Sequence, residues 1–236
     1  MKQVIAMHGW CSDSNKWAKW KPYFIANKWF WQSGERGYGQ RKPLNPSWVN
    51  DTCKGMDTKR VLICHSLGTH LISKEIYSKA TDIVLLNSFS RFLPTGKENR
   101  ALKIGLLGMQ KHLEQSSMNT MLLSFLEKAN SPHSINQIPE GPIQQGITDE
   151  GKARLQSDLN LLINTSSLPK GLSKNVKVLV INGDQDRILL PITINNLLKD
   201  LNKYLNKEPE NWTIEGQGHS IISSDLIIKV RAWLES

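Results

Sequence analysis

Ser66 stands at the centre of Cys64-His65-Ser66-Leu67-Gly68, after the apolar run Val61-Leu62-Ile63 and before a segment of helical character, Thr69 to Tyr77. A serine hydroxyl is a weak nucleophile until a neighbouring base takes its proton. A strained strand-to-helix elbow lifts such a serine clear of a sheet, provided the residues two before and two after it are small. Gly68 meets that demand, and Cys64, where a Gly-x-Ser-x-Gly elbow has its first glycine, is small enough to meet it. The base and its carboxylate partner should follow in later turns. The stretch "VLVINGDQDRILLP" runs from a strand into an acidic turn, and "WTIEGQGHSII" runs from a strand into Gly218-His219, so the order Ser, Asp, His is met. Two aspartates compete for the acid. Asp186, followed by Ile188, Leu189 and Pro191 to anchor the loop, is favoured, and Asp184 is expected to cap the turn through nearby backbone NH groups. Histidine, with an ordinary pKa near 6.5, suits the taking and returning of a proton at neutral pH, and His219 is the candidate. The carboxylate would fix its tautomer and stabilise the imidazolium.

An acyl-transfer site also needs backbone NH groups aimed at the developing oxyanion. Leu67 NH supplies one, and Trp10 NH, behind His8-Gly9 in the loop after the first strand, supplies the other; His8 is assigned a structural role. His65 is expected to point away from the site, His70 to lie in a helix, and His112 and His133 in an insertion. Catalytic Ser66, Asp186 and His219 with oxyanion donors Trp10 and Leu67 therefore form the candidate set.

Positioning these residues requires a sheet whose strand ends converge. Short apolar, β-branched runs at 4–7, 29–31, 60–64, 83–87, 176–181 and 212–214 alternate with helical or turn segments, which argues for an α/β protein with a mostly parallel sheet of about six strands, buried on both faces. Residues 91–170 break the rhythm. Met118, Leu122, Phe125, Leu126 and Ala129 share one helical face, and Leu155, Leu159 and Leu162 another, so a helical cap insertion is expected there, with 1–90 and 171–236 forming the core. Between those helices the run 129–147, rich in Pro, Asn, Ser and Gly, reads as a loop, and Leu226, Ile227, Val230 and Trp233 mark a final helix. Six tryptophans fall in the first fifty residues; Trp10 alone has a positional reason to face a substrate, and the others read as packing.

The formal charge is +9, and the excess lies mostly at the N-terminal end, where residues 1–60 carry eleven Lys and Arg against four Asp and Glu. Such a field favours an anionic partner. No zinc-finger, RRM or Lys/Arg-dense tail signature supports nucleic acid, and no apolar run approaches a membrane span. The three cysteines, Cys11, Cys53 and Cys64, form no metal-ligand spacing and read as small buried residues in a reducing compartment. A soluble, cytoplasmic, monomeric protein without cofactor or metal is expected.

With these segments in order, the chain resembles the α/β-hydrolase superfamily over essentially its whole length: His8-Gly9-Trp10 looks like the oxyanion loop, and "GERGYG" at 34–39 like the Asp-x-Arg-Gly-x-Gly turn, with Glu35 in place of Asp. Within it, "HGW", the short insertion after "LLNSFSRF", "LLSFLEKA" and "ARLQSDLNLLINTSSL" resemble the pimeloyl-[acyl-carrier protein] methyl ester esterases of biotin synthesis. The resemblance implies hydrolysis of the methyl ester of pimeloyl carried on acyl carrier protein, with release of methanol. It also implies that Trp10 lines the acyl channel and that Phe125 contacts substrate. That family grips the carrier with arginines at positions that are Ser124 and Thr120 here, which would leave the task to Lys111, Lys128, Lys152, Arg154 or the N-terminal basic region; the family's elbow commonly reads Gly-Trp-Ser-Leu-Gly. The competing readings are a carboxylesterase or acyl thioesterase that needs no carrier protein, and a non-catalytic binding protein on the same scaffold.

Overall fold

The computed structural model describes residues 1–50, 58–96 and 98–236. Cys53 lies outside them. Six strands, β1 (Lys2–Met7), β2 (Phe30–Ser33), β3 (Lys59–His65), β4 (Asp82–Leu86), β5 (Lys177–Gly183) and β6 (Glu210–Ile214), form one sheet in the order β2-β1-β3-β4-β5-β6. Every neighbouring pair is parallel, with registers such as Ala6 opposite Ile63, Leu62 opposite Ile83 and Leu85 opposite Val180. All six expected strands are present within a few residues of their expected bounds.

The apolar runs of β1, β3, β4 and β5 are continuous because both faces are covered. Val4, Ala6, Val61, Ile63, Val84, Leu86, Leu179 and Ile181 point to one face, against α1 (Trp20–Ala26) and the final helix α8 (Ser224–Glu235). The alternate residues Ile5, Met7, Leu62, Cys64, Ile83, Leu85, Val178 and Val180 point to the other, against α2 (Lys74–Tyr77) and α7 (Pro191–Tyr204). Leu226, Ile227, Val230 and Trp233, the expected face of the last helix, are all buried. Trp17, Trp20, Trp29 and Trp31 close around Phe24 on the first face, so most of the N-terminal tryptophans are packing residues.

Between β4 and β5 run α3 (Glu98–Leu113), α4 (Met118–Asn130), α5 (Pro142–Gln145) and α6 (Asp149–Asn164). Leu122, Leu155, Leu159 and Leu162 join Trp10, Leu67 and Phe89 in a third apolar cluster above the carboxyl ends of the strands. The run 129–147 is not wholly irregular. It holds a 3-10 turn at Ile135–Gln137 and the single-turn α5, started by Pro142 at its first turn, where a missing NH costs nothing.

Candidate active site

The sharp turn after β3 is built by a departure from ordinary backbone geometry. Ser66 has φ 53°, a left-handed conformation that a serine adopts at a cost of order 1–2 kcal/mol, and such outliers gather at sites where geometry serves function. Its neighbours must be small. A Cβ on Gly68 would stand 2.5 Å from the Met7 carbonyl oxygen and 2.7 Å from that of His8, and one on Gly9 would stand 3.0 Å from Ser66 Cβ. The serine turn and the loop after β1 are thereby pressed together, placing Gly9-Trp10 against Ser66. Cys64 is fully buried beneath the turn, its thiol pushed up to about 12 by burial, as befits a space-filling residue.

The helix expected to follow the serine is not continuous. A 3-10 turn, Ser66–His70, comes first, and α2 starts only at Lys74. The Tyr77 hydroxyl donates to the Thr69 carbonyl at 2.6 Å, and Thr69 and Ser88 share a hydroxyl contact at 2.5 Å, so tertiary partners hold groups that a continuous helix would use itself. Leu67 nevertheless lies in the first turn after Ser66, where backbone NH groups lack intrahelical acceptors.

His219 donates Nδ1–H to Asp186 Oδ2 at 2.8 Å, and both side chains are buried. That bond leaves Nε2 as the basic nitrogen. The other Asp186 oxygen accepts from the NH groups of Ile188 (2.7 Å) and Leu189 (3.0 Å). Burial alone would raise the Asp186 pKa, but His219 and the two NH donors outweigh it and hold the carboxyl below its ordinary value. The cap of the acid turn is therefore Asp186 itself. Asp184, expected in that role, is exposed and makes no side-chain hydrogen bond among the described residues, because its position directly after β5 carries it outward while Asp186 turns in.

Two residues that the sequence reading did not credit hold the histidine loop. Asn87, at the end of β4 with φ 42°, accepts from Gly183 NH (2.9 Å) and donates to the carbonyls of Gly218 (3.0 Å) and His219 (2.8 Å). One side chain thus joins the acid strand to the histidine loop. His65 does not point away from the site: its Nε2–H donates to the His219 carbonyl at 2.8 Å, and its ring centroid lies 5.0 Å from that of His219. Burial, then the positive charge of Lys16, push His65 well below its ordinary pKa, so it is a neutral donor. Ser220 NH donates to the Ala129 carbonyl at 2.9 Å, tying the same loop to the end of α4.

The turn at 34–39 is anchored on both sides. Glu35, buried, accepts from the NH groups of Ser14 and Gly37, each at 2.8 Å, and lies 3.5 Å from His8 Nε2. Arg36 meets Asp158 of α6 through two contacts of 2.7 Å, and the Tyr38 hydroxyl donates to the same carboxylate at 2.6 Å. His8 is buried, with Nδ1 2.9 Å from the Gly9 carbonyl oxygen and Nε2 3.2 Å from the Arg36 backbone nitrogen, a structural arrangement.

Above Ser66 and His219 opens a cavity of about 380 Å³, lined mainly by apolar side chains that include Trp10, Phe125, Met121, Leu106, Leu159 and Ile188. The Trp10 indole NH donates to the Leu155 carbonyl at 2.9 Å, and its ring meets Phe125 edge-on at 5.1 Å. Trp20 lines the cavity as well, so Trp10 is not alone among the tryptophans in facing it. Of the carrier-binding candidates, Lys128 is exposed and lines the cavity, and Lys111 is exposed on α3. Lys152 is half-buried, while Arg154 is engaged by donating to the Gly37 carbonyl at 2.9 Å. Among the described residues no cluster of three His, Cys, Asp or Glu could hold a metal ion, and no helix is long and apolar enough to cross a membrane.

No family model matches the sequence, and no curated protein matches it. Solved structures do. The chain is similar to a thermophilic esterase from Thermogutta terrifontis (15% identity, TM-score 0.66, covering 100% of this chain and 90% of that one). It is similar also to a bromoperoxidase from Bacillus anthracis (14%, TM-score 0.70, 100% and 92%) and to an enol-lactonase from Burkholderia xenovorans LB400 (15%, TM-score 0.62, 99% and 88%). This chain's six-stranded parallel sheet flanked by helices, with likeness to these proteins over its whole length, is the α/β-hydrolase fold.

Proposed function

We propose that the protein is a serine carboxylic-ester hydrolase that works through an acyl-enzyme. The observation that carries the reading is the buried Asp186–His219 pair opening onto the same cavity as Ser66, whose backbone is held at φ 53°. His219 Nε2 takes the proton of Ser66 Oγ as the oxygen attacks the ester carbonyl, and Asp186 stabilises the imidazolium. The NH groups of Leu67 and Trp10 receive the oxyanion, each donor worth about 3 kcal/mol in such sites. His219 then protonates the leaving alcohol. Water, deprotonated by the same nitrogen, attacks the acyl-enzyme and releases the acid, with Ser66 restored.

For the substrate we propose the methyl ester of a pimeloyl chain on acyl carrier protein. The likeness of "HGW", "LLSFLEKA" and "ARLQSDLNLLINTSSL" to esterases of that step supports it, as do a cavity of a size that suits a small-molecule group and a basic N-terminal region. A second reading, a carboxylesterase or thioesterase that needs no carrier, is favoured by Ser124 and Thr120 at the carrier-gripping positions and by the engagement of Arg154 with Gly37.

The purified protein should hydrolyse p-nitrophenyl butyrate and take up a fluorophosphonate probe, and Ser66→Ala should lose both; unchanged turnover in that variant would overturn the mechanism. Methyl-pimeloyl on its carrier should outcompete free dimethyl pimelate, with the advantage shrinking as salt screens the lysines. Equal efficiency on the two would remove the carrier. Rescue of a biotin auxotroph lacking this esterase step, by the wild type and not by Ser66→Ala, would place the reaction.

A further inference from the structure

The cavity beside Ser66 holds a charged group for which ester hydrolysis has no use. Lys16 sits in the 3-10 turn Ser14–Trp17, a few residues after Trp10, and lines the cavity together with Ser66 and His219. It is only partly exposed, and among the described residues its ammonium has no ion-pair or hydrogen-bond partner. The buried carboxylates of the site and of the turn at 34–39 are otherwise engaged. Asp13, the one acidic residue lining the cavity, accepts from Asn15 NH at 2.8 Å and faces Arg41 at 3.3 Å. Asp186 holds His219, and Glu35 holds the NH groups of Ser14 and Gly37. Burial accordingly pulls Lys16 down to about 8, with no anion opposing the shift, which still leaves it mostly protonated at neutral pH. Lys19 and Lys128, both exposed, line the cavity too.

A desolvated ammonium without a counter-charge costs free energy that an anion placed beside it recovers. Among the described residues no acidic side chain is paired with Lys16, and the one that lines the cavity, Asp13, is committed elsewhere, so the molecule that fills the cavity can supply the missing negative charge. We infer that Lys16 anchors an anionic oxygen group on the bound substrate, and that the enzyme selects esters carrying one. Two chemistries supply it: a carboxylate at the far end of the acyl chain, or the phosphodiester of a prosthetic arm that delivers the acyl chain. The assignment rests on reading this cavity as the ester site, and the site's preference is readable by binding alone.

The experiment uses Ser66→Ala protein, which holds ligand without turnover, and follows the fluorescence of the cavity tryptophans. Heptanoate is compared with heptan-1-ol, and methyl-pimeloyl phosphopantetheine with methyl-pimeloyl pantetheine. The anionic member of at least one pair should bind roughly ten- to a hundredfold more tightly, the range a charge-assisted hydrogen bond provides. The pair that shows the preference identifies the carboxylate or the phosphate as the source. Adding Lys16→Met or Lys16→Gln should collapse the anion-to-neutral ratio to about one, whereas Lys16→Arg should keep most of it. Equal binding within both pairs, or a preference that survives in Lys16→Met, would overturn the inference. Loss of ester turnover in otherwise wild-type protein would instead count against the hydrolase reading and leave these ratios intact.

Discussion

Replacing Asn87 by glycine should unpin the histidine loop while leaving the backbone at position 87 at ease. At φ 42° an asparagine is held in a conformation that glycine adopts freely, so the change itself relieves about 1 kcal/mol. What is lost is the amide, with its contacts to Gly183 NH (2.9 Å), Gly218 O (3.0 Å) and His219 O (2.8 Å). The His219 carbonyl keeps its bond from His65 at 2.8 Å, but Gly183 NH and Gly218 O lose the partner that Asn87 gave them. Two buried groups left unsatisfied cost about 1–3 kcal/mol each, so the net loss should be about 1–5 kcal/mol. For a chain of this length each kcal/mol lowers Tm by about 2–4 °C. Freed from Asn87, the loop lets the His219 ring drift, and a displacement of about 1 Å at a reacting group costs on the order of 100-fold in rate. The assays are thermal unfolding, kcat and KM on p-nitrophenyl butyrate, and the rate of fluorophosphonate labelling. kcat and labelling should fall together with KM little changed. Asn87→Asp, which keeps the acceptor for Gly183 NH but turns an oxygen toward two carbonyls, should show the same split. If Tm falls as expected while kcat stays within about twofold of wild type, Asn87 stabilises the fold without orienting the histidine, and the reasoning fails.

Three further outcomes follow from the same geometry. Gly68→Ala must push its methyl group into the Met7 and His8 carbonyls at 2.5 and 2.7 Å, backbone atoms that cannot swing aside; chemical denaturation should show a loss of at least about 1–3 kcal/mol, with esterase activity falling further than stability. Asp158→Ala strips the carboxylate from Arg36 and the Tyr38 hydroxyl, and because Arg36 is partly exposed the cost should sit near the low end of about 3–5 kcal/mol, measured by the shift in Tm, with Asp158→Asn milder. Burial alone would raise the pKa of Glu35, but His8 and the NH groups of Gly37 and Ser14 bring it from 4.5 down to about 2. A carboxyl depressed in the folded state contributes stability above its unfolded pKa and loses it as pH falls through the folded value. Urea unfolding should therefore weaken by up to about 3 kcal/mol between pH 4.5 and pH 2, and Glu35→Gln should flatten that dependence.

The parts of this protein that could be read in its sequence are those encoded by neighbours along the chain. β1, β3, β4 and β5 announce themselves as unbroken apolar runs because helices cover both their faces, and the elbow at Ser66 is legible because its steric demands fall on residues two positions away. Asp186 could be preferred to Asp184 for a similar reason: the anchoring Ile188 and Leu189 lie beside it, and their NH groups hold its second oxygen. What escaped depends on contacts across long stretches of chain. His65 reads as a bystander until the loop of residue 219 returns to lie over it, and Asn87 reads as the end of a strand until Gly183 and Gly218 arrive on either side. Asp158, on the buried face of α6, has no local signal of its task; only the fold brings Arg36 and Tyr38 to it. The broken helix after Ser66 has a nearer cause, the Tyr77 hydroxyl that takes the Thr69 carbonyl from only eight residues on, a side-chain bond that apolar periodicity does not register.

Trp10 belongs to two structures at once. Its backbone lies in the loop pressed against Ser66, while its indole NH is bonded to the Leu155 carbonyl of α6 and its ring rests edge-on against Phe125 of α4. One side chain thus joins the roof of the cavity directly to the loop beside Ser66. Helices α4 and α6 cannot lift to admit a bulky ligand without either breaking that bond or pulling on the loop that carries Trp10 NH, the proposed oxyanion donor. Access and activation are mechanically linked, so an acyl chain that holds the roof open should also spoil the geometry at the carbonyl, and chain length would be sensed as a loss of turnover rather than of affinity.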